Sequence, residues 1–322
     1  MSQTNKTSFM KWLQQNLVLV GIIVLVIVTA LVEPKFLQPR NLTNVMKQLS
    51  ALPFVALGMT FVIICGFINL SVPGLISLVA VISALTINTI GQGGSLLLGF
   101  AVGIALGWLT GLVLTTCGAM TQAEVLFITY GLSRVFIALA VMLSGAKTVR
   151  IKDSTKPITI YNMLGSYNVW IFPVVFLFFI VILIIMHIFL TKTLPGRLIM
   201  LTGGNKDAAF LAGYNVKRIM RMVYAICGGL TALGSLAMLA RIGTAQSGNG
   251  SGYETDAILC VVVGGTSLKG GKGSVLRTMF GVALITLLGN CMNMLGLSTY
   301  MQTVMRGAVL VVAIWLDNRK EL

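Results

Sequence analysis

The chain has 322 residues, of which 57% are hydrophobic and only 10% charged, and its formal net charge is +15. Soluble domains carry about 25% charged residues, so a mean hydropathy of +0.95 excludes a water-soluble domain and makes lipid the solvent for most of the surface. The positive charge is spread through short stretches between apolar runs and forms no single basic patch. That distribution excludes a nucleic-acid surface and fits membrane topology signals.

A bilayer-spanning helix needs about 20 mostly apolar residues, and about ten such runs are expected. They fall near 13–32, 49–66, 72–90, 95–116, 125–144, 170–190, 220–240, 257–265, 275–294 and 300–316. The first follows Lys6 and Lys11 like a signal peptide, but no small-x-small cleavage site follows it, so it is expected to be a retained span. The third is interrupted by Pro73, and the eighth is too short to cross alone, as in a broken helix. The fold class is therefore all-α: one polytopic bundle over the whole chain, with both termini on the same side. The larger share of Lys and Arg lies on that side, which places the termini in the cytoplasm.

Two connections exceed hairpin length. The outer one, 145–169, carries Lys147, Arg150, Lys152 and Lys156. The inner one, 191–219, is the most polar stretch of the chain, and long ordered connections are usually functional. In it Gly203-Gly204-Asn205 is a turn with a helix start: Asn205 caps, Asp207 complements the first turn and Gly213 stops the helix. The small Ala208 and Ala209 allow close docking, either of another protein or of the helix on its own bundle.

The later stretch Gly264-Gly265-Thr266-Ser267-Leu268-Lys269-Gly270-Gly271-Lys272-Gly273 invites a phosphate-loop reading and fails it twice. Gly271-Lys272 is followed by Gly273 rather than Ser or Thr, and the position five before Gly271 is Thr266, not Gly. No nucleotide site, and so no cofactor, is expected on this chain. The glycines serve turns and close helix approach.

Arg134 and Arg306 fall inside spans, where a cation must face protein or water. Asn69, Ser71, Asn290 and Asn293 are candidates to line a polar path, or equally to tie helices together by hydrogen bonds. Glu254 and Asp256 stand at the start of the eighth run as gate residues, with capping of the next helix the expected role of Asp256. The lone His187 and the cysteines Cys65, Cys117, Cys227, Cys260 and Cys291 are expected to be buried structural groups, with no metal-ligand spacing.

The glycine-rich segments resemble one family. Gly252-Tyr253-Glu254-x-Asp256-Ala257-Ile258, then Val263-Gly264-Gly265-Thr266-Ser267-Leu268-x-Gly270-Gly271-x-Gly273, are similar to the permease subunits of bacterial ABC importers for ribose, xylose, arabinose and galactosides. So are Gly203-Gly204-Asn205-x-x-Ala208-Ala209-x-x-Ala212-Gly213, the Asp317-Asn318 ending and Arg134. The N-terminal half departs, with Asn69 where the family has an acid and Pro73 where it has glycine. The resemblance implies a bacterial inner-membrane protein paired with a second permease, identical or homologous. It implies cytoplasmic ATPase subunits, which hydrolyse the ATP, docked on 196–215 through Gly196, Arg197, Gly203, Gly204, Asn205, Ala208, Ala209 and Gly213. It also implies an extracytoplasmic binding protein that delivers a sugar-like substrate.

Two other classes stay open. An ion-coupled secondary transporter needs an acid well inside a span, and Glu124, at a span edge, is the nearest. An intramembrane enzyme needs a nucleophile and base, and no such pair is legible.

Overall fold

The computed structural model describes residues 17–152 and 157–319. Lys6, Lys11 and Lys156 lie outside them, and of the Asp317-Asn318 ending only the helical backbone is described. The described fold is a helical bundle. Its helices are α1 (Leu17–Val32), α2 (Pro39–Gln48), α3 (Leu52–Ile64), α4 (Val72–Thr116), α5 (Gln122–Ser144), α6 (Ile160–Gly165) and α7 (Val174–Lys192). They continue as α8 (Leu194–Gly204), α9 (Lys206–Leu211), α10 (Val216–Ile242), α11 (Tyr253–Val263), α12 (Val275–Met294) and α13 (Thr299–Arg319).

The apolar runs of the sequence land on these helices, but the count differs. By length and composition five described helices can cross a membrane, or six if α2 and α3, bent by 43° at their junction, form one span. The expected count of about ten treats α1, α11 and α13 as spans and α4 as two. The first three are short or only partly apolar, and α4 is continuous in hydrogen bonding apart from one break.

That break is Gly91, at φ 75° and ψ 172° inside a 45-residue helix. Both values lie outside the right-handed helical region, and only glycine reaches that combination without strain. The arms on either side fold back on each other. A Cβ built on Gly99 would lie 3.5 Å from Cβ of Ser83, whereas in a straight helix these positions stand about 24 Å apart.

The second arm packs antiparallel on α10 through a stripe of glycines four residues apart. A Cβ on Gly99 would meet Leu236, one on Gly103 Ala232, one on Gly107 the Tyr224 carbonyl and Gly228, and one on Gly111 the Arg221 backbone. Small residues at this spacing let two backbones approach closely, which in lipid is a main source of helix association. The stripe was available in the sequence as an i, i+4 repeat.

At the centre stands α3, whose residues Pro53 to Ile64 are all buried. A helix that is apolar all round belongs inside. It packs against α10, α11, α12 and α7. Phe54 meets Phe179 edge-to-face at 5.1 Å, and the hydroxyls of Thr60 and Thr278 pair at 2.9 Å.

Two helices stop in the same way. α3 ends at Gly66 (φ 85°) and α11 at Gly265 (φ 83°). In each, the next amide reaches back to close the last turn: Phe67 to the Val62 carbonyl, Thr266 to the Val261 carbonyl.

At the end of the bundle opposite α8 and α9, the described parts of the long connection 145–169 are tied down. Strand β1 (Val149–Arg150) pairs antiparallel with β4 (Thr244–Ala245). Oε1 of Gln92 accepts from the amides of Thr159 and Ile160, and the hydroxyls of Tyr161 and Ser95 meet at 2.9 Å. A hairpin of β2 (Asn168–Val169) and β3 (Phe172–Pro173) leads into α7.

Candidate functional site

Three glycine-bearing segments far apart in sequence meet at one end of the bundle. A Cβ on Gly203 would lie 1.8 Å from the Ile64 carbonyl oxygen and 2.7 Å from the Gly271 amide. One on Gly270 would meet the Gly203 carbonyl and the Gly66 backbone, and one on Gly271 the Gly204 backbone. The Gly271 amide donates to the Ile64 carbonyl at 2.8 Å. Nε2 of Gln122 donates to the carbonyls of Gly66, at 3.3 Å, and Leu268, at 2.9 Å. The two glycine-rich motifs of the sequence thus form one joint, with Gly66 as a third member.

The joint carries α8 and α9. Thr193 caps α8, accepting from the Gly196 amide, and Gly196 is buried against the Leu190 carbonyl with Arg197 exposed beside it. Asn205 caps α9, its Oδ1 accepting from the Ala208 amide at 2.9 Å. The helix closes with the Gly213 amide on the Phe210 carbonyl and the Tyr214 amide on the Ala209 carbonyl, with Gly213 at φ 83°.

Ala209 is buried, Ala208 and Gly204 are exposed. Lys206 anchors α9 by donating to the Met120 carbonyl at 2.9 Å with its ammonium 3.9 Å from the centre of the Phe67 ring. Burial draws this ammonium below the usual lysine range. On the outer side Phe210 is 70% and Leu211 84% exposed.

The second region surrounds the N-terminus of α11. The stretch 246–252, without helix, packs there on the first turn of α4, where a Cβ on Gly250 would lie 2.2 Å from the Pro73 carbonyl, and the stretch 65–71, also without helix, leads into that turn. Irregular backbone inside a membrane bundle needs protein or a polar cavity around it. Here α5 and α10 supply partners: Thr129 Oγ1 accepts from the Leu70 amide, Ser133 Oγ from the Gly74 amide, and the Tyr224 hydroxyl donates to the Ile68 carbonyl.

Two cavities flank α11. One, of about 420 Å³, is lined by Pro73, Tyr130, Ser133, Arg134 and Glu254 among others. Arg134 donates to the Tyr130 hydroxyl at 2.6 Å, and Oε2 of Glu254 is buried without a protein partner. The other, of about 730 Å³, is lined by Tyr253, Asp256, Asn293, Thr299 and Arg306 among others. Across it Arg306 Nη1 meets Asp256 Oδ2 at 2.6 Å, joining α11 to α13.

Asp256 therefore does not cap a helix. The cap position of α11 is Gly252, without a side-chain bond, and Asp256 sits inside the first turn, where the guanidinium claims its carboxylate. Asn69 and Ser71 are fully buried and bonded to each other, Asn69 Oδ1 accepting from the Ser71 amide at 3.0 Å and hydroxyl at 2.7 Å. Asn290 pairs reciprocally with Asn41, at 3.0 and 3.1 Å, and Asn293 accepts from Gln302 at 2.8 Å. Of the expected path residues, Arg134, Glu254, Asp256 and Asn293 line cavities.

Three other groups find plain roles. Glu124 closes a capping box on α5, accepting from the amides of Met120 and Thr121. Cys117 is exposed, unlike the other four cysteines, because it lies at the end of α4 rather than within it. His187 sits in α7 with Nδ1 buried.

Comparison with known proteins identifies the family. Residues 41–314 match the family described as branched-chain amino acid transport system / permease component. The chain is 33% identical to the ribose import permease protein RbsC of Escherichia coli K12 over 96% of this chain and 95% of that one. It is 33% identical to RbsC of Bacillus subtilis over 93% and 91%. With the galactose/methyl galactoside import permease protein MglC of Escherichia coli K12 it shares 28% identity over 99% and 98%. No solved structure matches.

Proposed function

The chain belongs to the branched-chain amino acid transport system / permease component family, and on that footing we propose that it is the membrane-spanning subunit of an ATP-driven importer for a monosaccharide or sugar-like molecule. The family is one of transport permeases, not of enzymes. A sugar-like substrate is supported by the relatives, which are named for ribose and galactose import.

The observation that carries the reading is the glycine joint with α9 on it. Backbone contacts fix a short capped helix to the end of the bundle, yet Phe210 and Leu211 are exposed among the described residues. We assign this helix as the docking element for a cytoplasmic ATPase pair, with Gly196, Arg197, Gly203, Gly204, Asn205, Ala208, Ala209 and Gly213 building it. That places α8, α9 and both termini on the cytoplasmic side of a bacterial inner membrane. About ten crossings follow if the arms of α4 and the short helices α1, α11 and α13 each count. A second permease completes the pathway, and an extracytoplasmic binding protein delivers substrate at the other end.

The route of coupling runs along α11. Its C-terminal end enters the joint through 264–274, and its N-terminal end holds Glu254 and Asp256 beside the two cavities. Movement of α9 by closing ATPase domains shifts α11 and opens or seals the cavities in turn. Substrate passes Arg134, Glu254, Asp256 and Asn293, with Asn69, Ser71 and Asn290 shaping the helices that bear them. Glu124, the acid that the sequence offers a secondary transporter, is engaged as a helix cap.

The test is reconstitution in proteoliposomes with the partner subunits and binding protein. Uptake of radiolabelled sugar that requires ATP inside the ATPase compartment and survives collapse of ion gradients is expected. Uptake that ignores ATP and follows the gradient would overturn the proposal.

A further inference from the structure

Beside the docking helix the chain gathers cations that nothing in the transport reading uses. Lys217, Arg218 and Arg221 occupy the first two turns of α10, with Lys217 and Arg221 at i, i+4 and Arg218 and Arg221 at i, i+3, so the three share a face. With Trp108, Asn215 and Met222 they line a cleft of about 480 Å³. Among the described residues none of the three has a carboxylate at ion-pairing distance. Arg221 is held by one edge, Nε donating to Thr115 Oγ1 at 2.7 Å.

The wall of the cleft is apolar and exposed. Trp108 is 47% exposed on the second arm of α4, and Ile104 and Leu109 beside it are also exposed. That arm belongs to a helix apolar enough to cross the bilayer, and it packs antiparallel on α10 so that Gly111 abuts Arg221. The cations stand toward the end of that arm, with the apolar wall running away from them and an indole between. Interfacial tryptophan and basic pockets at helix ends are the two features by which proteins hold anionic headgroups.

We propose that this cleft binds an anionic phospholipid, its headgroup phosphate on Lys217, Arg218 and Arg221 and its acyl chains along Trp108 and Ile104. Guanidinium groups suit phosphate because two N–H donors reach two oxygens at once. A lipid is favoured over an acidic protein surface because the wall continuing from the cations is apolar, exposed and part of a helix apolar enough to cross a membrane. A free phosphate has no use for that wall.

The experiment uses the full chain, delipidated in detergent and titrated with phosphatidylglycerol, phosphatidylcholine or inorganic phosphate, with bound lipid counted by native mass spectrometry. Phosphatidylglycerol is expected to bind at least about tenfold more tightly than phosphatidylcholine, and inorganic phosphate is expected not to displace it. The variant K217Q/R218Q should weaken phosphatidylglycerol about 25-fold, at roughly fivefold per cation, and leave phosphatidylcholine unchanged. K192Q/R277Q, which removes two cations elsewhere at the same end, should leave both unchanged. Equal binding of the two lipids, equal weakening in both variants, or displacement by inorganic phosphate would overturn the proposal. So would K217Q/R218Q retaining phosphatidylglycerol while losing the ATPase in a pull-down, which would give the cations to a protein partner.

Discussion

The amide of Gly271 donates to the carbonyl of Ile64 at 2.8 Å, so the end of the central buried helix is bonded directly to the glycine-rich turn after α11. Gly203 lies against the same carbonyl with no room for a methyl group. The contact is backbone on backbone, and no rotamer change can relieve it. Gly203→Ala is expected to cost about 3 kcal/mol and lower the melting temperature in detergent. Gly131→Ala, in open helical space, should be neutral or stabilising by about 0.5–1 kcal/mol. Equal melting of the two variants would remove the joint from the fold.

The fold-back of α4 at Gly91 brings Cβ of Ser83 within 3.5 Å of a Cβ on Gly99, inside the range that a disulfide bridges. S83C/G99C should oxidise to an intramolecular crosslink, identified as a linked peptide by mass spectrometry. A straight helix would keep the thiols about 24 Å apart and give none.

Phe210 and Leu211 are exposed, whereas Gly203 is inside. A docking test belongs on the former. F210D/L211D should leave melting unchanged and abolish recovery of the ATPase in a pull-down, with transport falling at least about tenfold. A drop in melting temperature with the ATPase still bound would instead make these side chains part of the fold.

Asp256 and Arg306 are partly buried, with side-chain exposures of 19% and 35%. Removing one leaves the other uncompensated. Asp256→Asn and Arg306→Gln should each destabilise by more than the pair together. A double-mutant cycle on melting is expected to return a coupling of about 1–3 kcal/mol. Additive effects would mean the contact contributes nothing to holding α11 on α13.

Glu254 carries a buried carboxylate oxygen with no protein partner beside the cavity that Arg134 lines. A residue kept for packing would be missed in the folded state; one kept for the path would be missed only in transport. Glu254→Gln should hold or raise the melting temperature and reduce sugar uptake at least about tenfold. Unchanged uptake would take the residue out of the pathway.

Local chemistry was legible in the sequence, and long-range pairing was not. The Asn205 cap and the Gly213 stop follow from residue type and spacing, since both act within a few residues. The apolar runs mark helices for the same reason. Asp256 looked like a cap because its partner, Arg306, is 50 residues away and belongs to a different helix. For Asn69 and Ser71 path and packing roles stayed open, because polarity inside an apolar stretch says nothing about whether the group meets water or its own neighbour. Cys117 looked buried because composition does not show that it stands at the end of a helix. The meeting of Gly66, Gly203 and Gly270 was signalled only as glycine excess, which gives close approach without naming what approaches.

A joint built from bare backbone has a mechanical property that side-chain interfaces lack. Side chains cushion a push by changing rotamer, but the contacts of Gly203, Gly270 and Gly271 with Ile64 and Gly66 contain nothing compressible. A displacement of α9 must reach the ends of α3 and α11 undiminished or else break the Gly271–Ile64 bond. Under the docking proposal, hydrogen exchange at the Gly271 amide should therefore report on the drive stroke, slow while the linkage is engaged and fast when it slips.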